Sequence, residues 1–525
     1  MKIIKYKLAL LLIMLVGCEV DYFESPNSPT SPPSAAVFNN AVHSIVSNTR
    51  DTWWLGRFTQ NTMQYWQQAE YGDEDRYGYR ESMRQTWAAF YYNLENLRIV
   101  IDLNENPDTK DNMLAYGDNQ NQIACARIMM AYTFNIMADS WGDIPYYSYG
   151  SDNPDFQALQ LAGETEVIYP AYAAQADIYA DILNELQQAH DQLDATKPGF
   201  TQGDQIYNGN VAKWKLFANS LRLKIALKIQ GANATLANTH ITDAISKGVF
   251  ASNADNALFA YETADANASP MYRAWNVTNR ADFAVSNTLV TLLKGDNIYG
   301  HDGTAATTPI TTNPFFGLYD PRIEQYAEPN GDGEYVGMPV AETSGQAATI
   351  TWKSFPHEGN ITGKPDYAVV LMEYAEVAFI LSELNGWDQT HYVNGIEASM
   401  EKWGVPQSDI AAYIAAVPAA NAENVLTQKY IALYMDGQTA WSEYRRTGYP
   451  AVLMKPGNYT VYRPFNDTHY LFVFDPIPAE ITDDLPKRMQ YPQYEQTLNE
   501  SNYRSAVGNL QHGDNLISPL WWDVN

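Results

Sequence analysis

The chain has 525 residues, and its 61 acidic side chains outnumber its 33 lysines and arginines, which gives a formal charge of −28 at pH 7. A surface this acidic repels phosphate backbones, so we expect no nucleic acid among the partners. Hydrophobic residues make up 46% of the chain, as in a globular protein with a large core. The 37 tyrosines are an unusual excess. Because a tyrosine ring has an apolar face and a polar edge, they favour a binding surface.

The N-terminus has the pattern of an export signal. A lysine-rich start precedes an unbroken apolar run over residues 8–16, which is too short to span a bilayer as a stable helix. The run ends in Leu-Val-Gly before Cys18, which resembles a bacterial lipobox. We therefore predict that residues 1–17 are a signal peptide and that Cys18 is lipidated. An ordinary signal with an incidental thiol is the alternative.

Residues 18–34 are rich in Ser, Pro and Asn and lack helical periodicity, which predicts a flexible tether after the lipid. No later apolar run reaches the roughly 18 residues of a spanning helix, so we expect the protein to sit on a membrane without crossing it. With Cys18 acylated, the only other cysteine, Cys125, has no disulfide partner and is predicted to be a core residue.

Apolar residues at three- and four-residue spacing predict a mostly α-helical scaffold over about 35–247 and 366–449. The predicted helices cover residues 83–103, 119–140, a stretch from Pro170 to about 193, 210–229, 367–384, 391–403, 423–435 and 439–446. In order, these helices make four antiparallel pairs. Such pairs are typical of a solenoid-like scaffold of TPR-like units, although the TPR consensus itself is not legible.

Residues 248–365 and 450–525 are loop-rich, with one predicted helix near 280–293. Inserts this long in a helical protein are generally either functional or disordered. Their aromatic residues, Trp275 and Trp352 among them, favour an ordered and packed subdomain. We therefore predict a single body over 35–525, in which the helical scaffold carries a loop-rich ligand-binding subdomain.

Catalytic and metal-binding motifs are scarce. The eight histidines are scattered, and the chain has no His-Glu-x-x-His, no Gly-x-Ser-x-Gly and no phosphate-binding loop. A pair of carboxylates for glycoside hydrolysis stays open, because 61 acids offer too many combinations. Residues 330–334 alternate oxygen side chains like half of a calcium loop. Ala341 stands at the twelfth position, however, so a turn without an ion is the preferred interpretation.

Arg445 and Arg446 stand in a dense charged and aromatic segment, 441–450. One interpretation is that their guanidinium groups bind an anion. The other, which is preferred, is that they pair with Glu443 or nearby acids inside the protein, since planar guanidinium groups suit buried carboxylate pairing.

Several segments taken together resemble one known family. They are residues 138–146, 382–387, 398–405, 428–433, 441–450 and 519–523. In order and spacing they are similar to the SusD/RagB family of outer-membrane nutrient-binding lipoproteins of Bacteroidetes, in its SusD-like branch. The match covers nearly the whole mature chain. Glu19, Asp21 and Glu24, which follow the lipobox, also resemble that phylum's surface-export signal.

The resemblance implies a mostly α-helical, SusD-like fold with four TPR-like helix pairs and a ligand-binding subdomain. It implies a lipid-anchored protein, exposed on the cell outer membrane, that binds oligosaccharides without catalysis and without a cofactor. It also implies a partner, a SusC-like TonB-dependent transporter, over which the lipoprotein acts as a hinged lid. A peptide-binding lid, a surface glycoside hydrolase and a structural scaffold lipoprotein are the alternatives.

One stretch combines large aromatic residues with a nearby loop of acids and arginine. A sugar needs this mixture, because its C–H face stacks on a ring while its hydroxyl rim bonds to carboxylates and guanidinium groups. The predicted ligand-binding residues here are Trp53, Trp54, Tyr65, Trp66, Tyr71, Asp73 and Arg76. Alternatively, the first two tryptophans are core residues of an early helix, and the neighbours Tyr65 and Trp66 cannot both face one side. Trp275 and Trp352 are further candidates, because the family places part of its binding surface in the loop-rich subdomain.

Overall fold

Helices make up most of the regular structure. The computed structural model describes residues 31–160, 167–300 and 308–524, so the predicted signal peptide and Cys18 lie outside the described residues. The longer helices are α1 (Ser34–Thr49), α2 (Thr86–Glu105), α3 (Asn119–Trp141), α4 (Gln175–Gln192), α5 (Val211–Lys228), α6 (Ala234–Lys247), α7 (Asn287–Leu293), α8 (Tyr374–Leu384), α9 (Gln389–Lys402), α10 (Gln407–Ala416), α11 (Ala422–Ala432), α12 (Gly437–Thr447) and α13 (Glu500–Gly508).

Shorter helical segments connect these helices. Single α-turns span Lys110–Met113, Pro270–Tyr272, Ile323–Tyr326, Ser344–Ala347 and Glu495–Leu498. Turns of 3₁₀ type span Glu81–Gln85, Leu114–Tyr116, Asn253–Asp255, Asp265–Asn267 and Pro464–Asn466, and π-helical segments span Thr52–Gln60, Arg273–Val277 and Glu358–Thr362. The first two π-helical segments position the candidate site described below.

Polar caps explain several helix starts. Asp118 accepts hydrogen bonds from backbone N–H groups in the first turn of α3, and Asn210 and Asp388 do the same for α5 and α9. Each such cap stabilises its helix by about 1 kcal/mol. The three helices agree with their predicted ranges to within two residues.

The predicted fold, mostly α-helical with four helix pairs, is confirmed, although the members of the pairs partly differ. α1 packs on α2, α3 on α4, α5 on α6 and α8 on α9. The first two predicted pairs are displaced by one helix because the prediction omits α1 and α6, although the buried residues of both recur at helical spacing. Near the C-terminus, α11 packs on α8, and α12 packs on the π-helix Thr52–Gln60.

Three predicted helix starts are wrong. Residues 368–372 form a strand and not the start of a helix. The prediction missed it because a short, continuous apolar run has no period that distinguishes a buried strand from a buried helix. α4 begins at Gln175, five residues after Pro170. The predicted helix 280–293 is a strand followed by α7, whose start is capped by the Ser286 hydroxyl.

The strands form small antiparallel sheets. β1 (Trp66–Gln68) pairs with β3 (Phe283–Val285), and β2 (Ala257–Ala260) pairs with β6 (Ala368–Met372). A further sheet has the order β5 (Pro309–Thr311), β4 (Ile298–Tyr299), β7 (Gly457–Arg463) and β8 (Thr468–Phe474). The pairing of β1 with β3 matters most here, because it brings the segment after the first π-helix beside residues 270–285.

The core is continuous from the helices into the loop-rich segments. Its largest fully buried side chains include Trp54, Trp66, Trp141, Trp214, Trp441 and Trp522. Cys125 is a buried free thiol of α3, as predicted. Within the ranges that the structure describes, no helix is both long enough and apolar enough to cross a bilayer.

Arg445 and Arg446 belong to this interior. The Arg445 guanidinium lies 3.5 Å from the centre of the Trp441 ring and 4.8 Å from that of Trp522. Arg446 pairs with Glu383 at 2.7 Å and with Glu443 at 2.8 Å. The pairing interpretation therefore fits Arg446, whereas Arg445 is buried by contacts with tryptophan rings and backbone oxygens and not by an acid partner. The anion-site interpretation fits neither residue.

Candidate functional site

A cleft of about 370 Å³ opens where the first π-helix, the segment after β1 and the segment before β3 meet. We call it the Trp53 cleft. Its lining residues are Thr52, Trp53, Arg57, Tyr71, Arg80, Ala274, Thr278, Arg280 and Asp282. The volume lies within the range of about 300–1,000 Å³ that small-ligand sites occupy.

The π-helix Thr52–Gln60 separates two adjacent tryptophans. Asp51 caps the helix and accepts hydrogen bonds from the backbone N–H groups of Trp53 at 2.9 Å and Trp54 at 2.7 Å. Successive residues of a helix point in different directions, so Trp53 reaches the cleft while Trp54 enters the core. Burial raises the pKa of the Asp51 carboxyl to about 6. Turns of π type are frequent at functional sites.

Asp282 joins two arginines at the floor of the cleft. Its carboxylate accepts a hydrogen bond from Arg57 at 2.6 Å and pairs with Arg280 at 2.9 Å. The Arg57 guanidinium lies 4.5 Å from the centre of the Trp53 ring. The backbone carbonyl of Asp282 accepts from the N–H of Ala69 at 2.7 Å, which extends the pairing of β1 with β3 and fixes the carboxylate opposite Arg57.

Tyr71 stands on a tight turn whose next residue has no room for a side chain. A Cβ atom on Gly72 would lie 1.9 Å from the backbone oxygen of Glu342. The Tyr71 side chain is 41% exposed, and the Arg280 guanidinium lies 5.9 Å from the centre of its ring. Only glycine permits this approach, which holds Tyr71 at the mouth of the cleft.

Two of the predicted ligand-binding residues, Trp53 and Tyr71, line the cleft together. Trp54, Tyr65 and Trp66 are fully buried and are not available to a ligand. The ring of Tyr65 stacks on Tyr430 with centres 4.4 Å apart, and the indole N–H of Trp66 donates to the Tyr434 hydroxyl at 2.8 Å. These three residues are therefore core residues, as the alternative interpretation held for Trp54.

The other predicted residues lie apart from the lining. Asp73 is exposed, and Arg76 donates to the backbone oxygen of Asp475 at 2.6 Å. Trp275 is half-buried with its ring centre 6.5 Å from that of Trp66. Trp352 lies beside the β7–β8 hairpin, where the Arg463 guanidinium is 5.4 Å from its ring centre and the Tyr470 ring centre is 5.9 Å away.

In the calcium-like loop, residues 330–334, side-chain oxygens bond to other groups of the protein. The Asn330 side-chain oxygen accepts from the N–H groups of Asp332 and Glu334, each at 3.0 Å, and the Asp332 carboxylate pairs with Arg463 at 2.6 Å. The turn interpretation accounts for these bonds. Across the described part of the chain, no group of three or more His, Cys, Asp or Glu side chains is placed to hold a metal ion.

Sequence reasoning missed the charged residues of the cleft: Arg57, Arg80, Arg280 and Asp282. A local signal existed for Arg57, which follows Trp53 by four residues and so shares its side of a helix. No such signal existed for Arg280 and Asp282, because only the pairing of β1 with β3 brings them to the π-helix. The assembled cleft offers ring faces and charged hydrogen-bonding groups, which is the make-up of a ligand-binding protein.

The models of two protein families match the chain. "Starch-binding associating with outer membrane" covers residues 26–463, and "Susd and RagB outer membrane lipoprotein" covers residues 415–523. The chain therefore belongs to the SusD/RagB family, whose members are binding proteins of the outer membrane and not enzymes.

Solved structures share the fold. A SusD homolog from Parabacteroides distasonis has a TM-score of 0.74 at 22% identity, over 94% of this chain and 98% of that one. A SusD homolog from Bacteroides uniformis has a TM-score of 0.72 at 21% identity, over 94% and 99%. A chitin-binding SusD homolog from Flavobacterium johnsoniae has a TM-score of 0.68 at 22% identity, over 93% and 99%. No curated protein matches the chain.

Proposed function

We propose that this protein binds an oligosaccharide in the Trp53 cleft at the cell surface and passes it to a SusC-like TonB-dependent transporter. The observation that carries the proposal is the presence of two accessible aromatic rings, Trp53 and Tyr71, in one cleft with guanidinium and carboxylate groups. Family membership supports the ligand class and the outer-membrane location. The name of the chitin-binding homolog supports a glycan over a peptide.

The chemistry of the cleft suits a sugar. The apolar face of a pyranose ring packs on an aromatic face, and the rings here are held by neighbours: Arg57 lies over Trp53, and Gly72 fixes the turn of Tyr71. The hydroxyl groups of the sugar donate to the Asp282 carboxylate and accept from the guanidinium groups. Binding of this kind needs no group that reacts.

Calorimetry on the mature chain carrying Cys18→Ser, with a panel of soluble oligosaccharides and oligopeptides, tests the proposal. We expect an oligosaccharide to bind, and Trp53→Ala and Tyr71→Ala each to weaken binding about 2- to 10-fold, the loss of one stacking contact of ~0.5–1.5 kcal/mol. Tyr92→Ala is the matched control, because Tyr92 is 74% exposed on α2 and is not part of the cleft.

Two results would contradict the proposal. In one, both cleft variants fold, by circular dichroism, and bind as tightly as the unchanged protein. In the other, Trp352→Ala alone abolishes binding, which would move the site to the β7–β8 hairpin. Binding of oligopeptides but of no glycan would favour the peptide-binding lid.

The membrane anchor is a separate part of the proposal, and Cys18 lies outside the described residues. We propose that acylated Cys18 holds the protein at the outer face of the outer membrane, with residues 18–34 as the tether, although Ser34 already begins α1. Cys18→Ser should release the protein from the membrane fraction, because acyl chains provide the affinity. A substituted protein that still sediments with outer membranes and incorporates palmitate would disprove the lipobox.

A further inference from the structure

The Trp53 cleft is cationic in a protein that is otherwise strongly acidic. Three arginines and one aspartate line it, and Glu74 pairs with one of these arginines, so three positive and two negative charges leave +1, whereas the whole chain has a formal charge of −28. Like-charged side chains gathered at one opening raise the local concentration of ligands of opposite charge. The cleft therefore has a charge preference that the rest of the protein does not share.

Asp282 does not neutralise the arginines around it. One carboxylate serves both Arg57 and Arg280, so this group of three side chains has a net positive charge. Arg57 is almost fully buried, and its guanidinium also donates a hydrogen bond to the backbone oxygen of Thr52 at 3.1 Å. Its role is therefore to hold Trp53 and Asp282 in place. The excess charge is left with the more exposed guanidinium.

Arg280 and Arg80 are the arginines that a ligand can reach. About half of each side chain is exposed, 51% for Arg280 and 50% for Arg80. Each is paired with an acid: Arg280 with Asp282 at 2.9 Å, and Arg80 with Glu74 at 2.6 Å. The Glu74 side chain is completely buried. A guanidinium that is already fixed loses less conformational entropy when it binds a ligand.

We infer that the ligand of the Trp53 cleft is an acidic saccharide, whose carboxylate or sulfate group binds Arg280 and Arg80 while a sugar ring packs on Trp53 or Tyr71. Planar guanidinium groups bind carboxylate and sulfate oxygens by paired, charge-assisted hydrogen bonds. A neutral sugar offers the same guanidinium groups only hydroxyl acceptors, whose hydrogen bonds are weaker than those of an anion. The inference rests on the proposed function, because it names the class of glycan for that site.

The experiment compares matched glycans. Calorimetry on the mature chain carrying Cys18→Ser uses oligogalacturonides against their methyl esters, and sulfated oligosaccharides against their desulfated forms. We expect at least one acidic member to bind ten-fold or more tightly than its neutral counterpart, and we expect high salt to reduce that preference. The two pairs distinguish a carboxylate from a sulfate as the group recognised.

Arginine variants assign the preference to the cleft. Arg280→Gln and Arg80→Gln should each lower the affinity for the acidic glycan at least five-fold and lower the affinity for its neutral counterpart by a clearly smaller factor, because a hydroxyl group bonds to a guanidinium more weakly than an anion does. Arg504→Gln is the control, because Arg504 is an exposed residue of α13, paired with Glu500 outside the cleft.

The remaining outcomes separate the two proposals. Equal affinity for acidic and neutral members, with binding lost in Trp53→Ala, overturns the acidic ligand and keeps the glycan site. An acidic preference that persists in both arginine variants also overturns the inference. Failure of every glycan, acidic or neutral, to bind overturns both proposals.

Discussion

Two clusters in this protein combine arginine with tryptophan, one in the core and one at the cleft. In the core, Arg445 lies between Trp441 and Trp522 and donates to the backbone oxygens of Asp139 at 2.7 Å and Lys487 at 2.8 Å. In the cleft, Arg57 lies over Trp53 and holds Asp282, while the neighbouring Arg280 keeps half of its side chain in solvent.

The difference lies in what surrounds the guanidinium groups. Every contact of Arg445 is internal and its side chain is buried, so its bonds hold α12 to α3 and to the C-terminal segment. At the cleft, one buried arginine organises the wall, and more exposed arginines face the solvent. Residue type alone therefore does not identify a binding site; the deciding property is whether charged groups remain accessible after the internal contacts are made.

The largest expected effect is on the core cluster. Arg445→Ala should lower the free energy of unfolding by about 3–5 kcal/mol, because it removes one member of a buried charged network and leaves two carbonyl oxygens without their donor. Urea denaturation measures the change. Arg504→Ala, an exposed ion-pair residue, should change stability by no more than about 0.5 kcal/mol.

The contrast between the two clusters would be wrong if Arg445 also contributed to glycan binding. The Arg445→Ala protein that remains folded without urea should bind glycan as tightly as the unchanged protein. Unaltered stability together with weaker binding would show that the core cluster takes part in recognition.

The sequence predicts the scaffold better than the cleft, for physical reasons that particular elements show. α3 and α5 have apolar residues along their whole length and a capping residue at the start, so type and bounds are both predictable. β6 is a short, continuous apolar run, for which periodicity cannot separate strand from helix. α6, rich in Asn and Thr, has few large apolar residues, but its buried residues recur at helical spacing and pack on α5.

The cleft depends on contacts between distant parts of the chain. Adjacent Trp53 and Trp54 have the same local signal, and only the turn that Asp51 caps decides which of them is exposed. Arg280 lies more than 200 residues after Trp53, and the pairing of β1 with β3 that joins them involves three residues on each strand. Strands this short give no reliable sequence pattern.

The cap of the π-helix gives the next largest effect, and it depends on pH. The pKa of Asp51 is about 6 in the folded protein against an ordinary 3.8, so between these values the folded state binds more protons than the unfolded state. Its contribution to stability is therefore complete below about pH 4 and is lost as the pH rises through 6. The difference between a pKa of 3.8 and one of about 6 limits this loss of stability to ~3 kcal/mol.

Asp51→Asn tests this assignment. Asparagine keeps an oxygen that accepts from the N–H groups of Trp53 and Trp54, but it does not titrate. Urea denaturation at pH 4 and pH 7 should show a smaller fall in stability for the variant than for the unchanged protein. An equal fall in both proteins would mean that another group titrates in this range.

The smallest expected effect on stability concerns the turn that presents Tyr71. Gly72→Ala should lower the free energy of unfolding by about 1–2 kcal/mol, because the added methyl group would lie 1.9 Å from the backbone oxygen of Glu342 and the turn has to move. Tyr71 moves with it, so glycan affinity should fall as far as it does in Tyr71→Ala. Gly345→Ala is the matched control, since a methyl group added there would meet no atom within 4 Å. If Gly72→Ala lowers stability but leaves affinity intact, Tyr71 is not part of the recognition surface, and the cleft binds its ligand through Trp53 and the arginines alone.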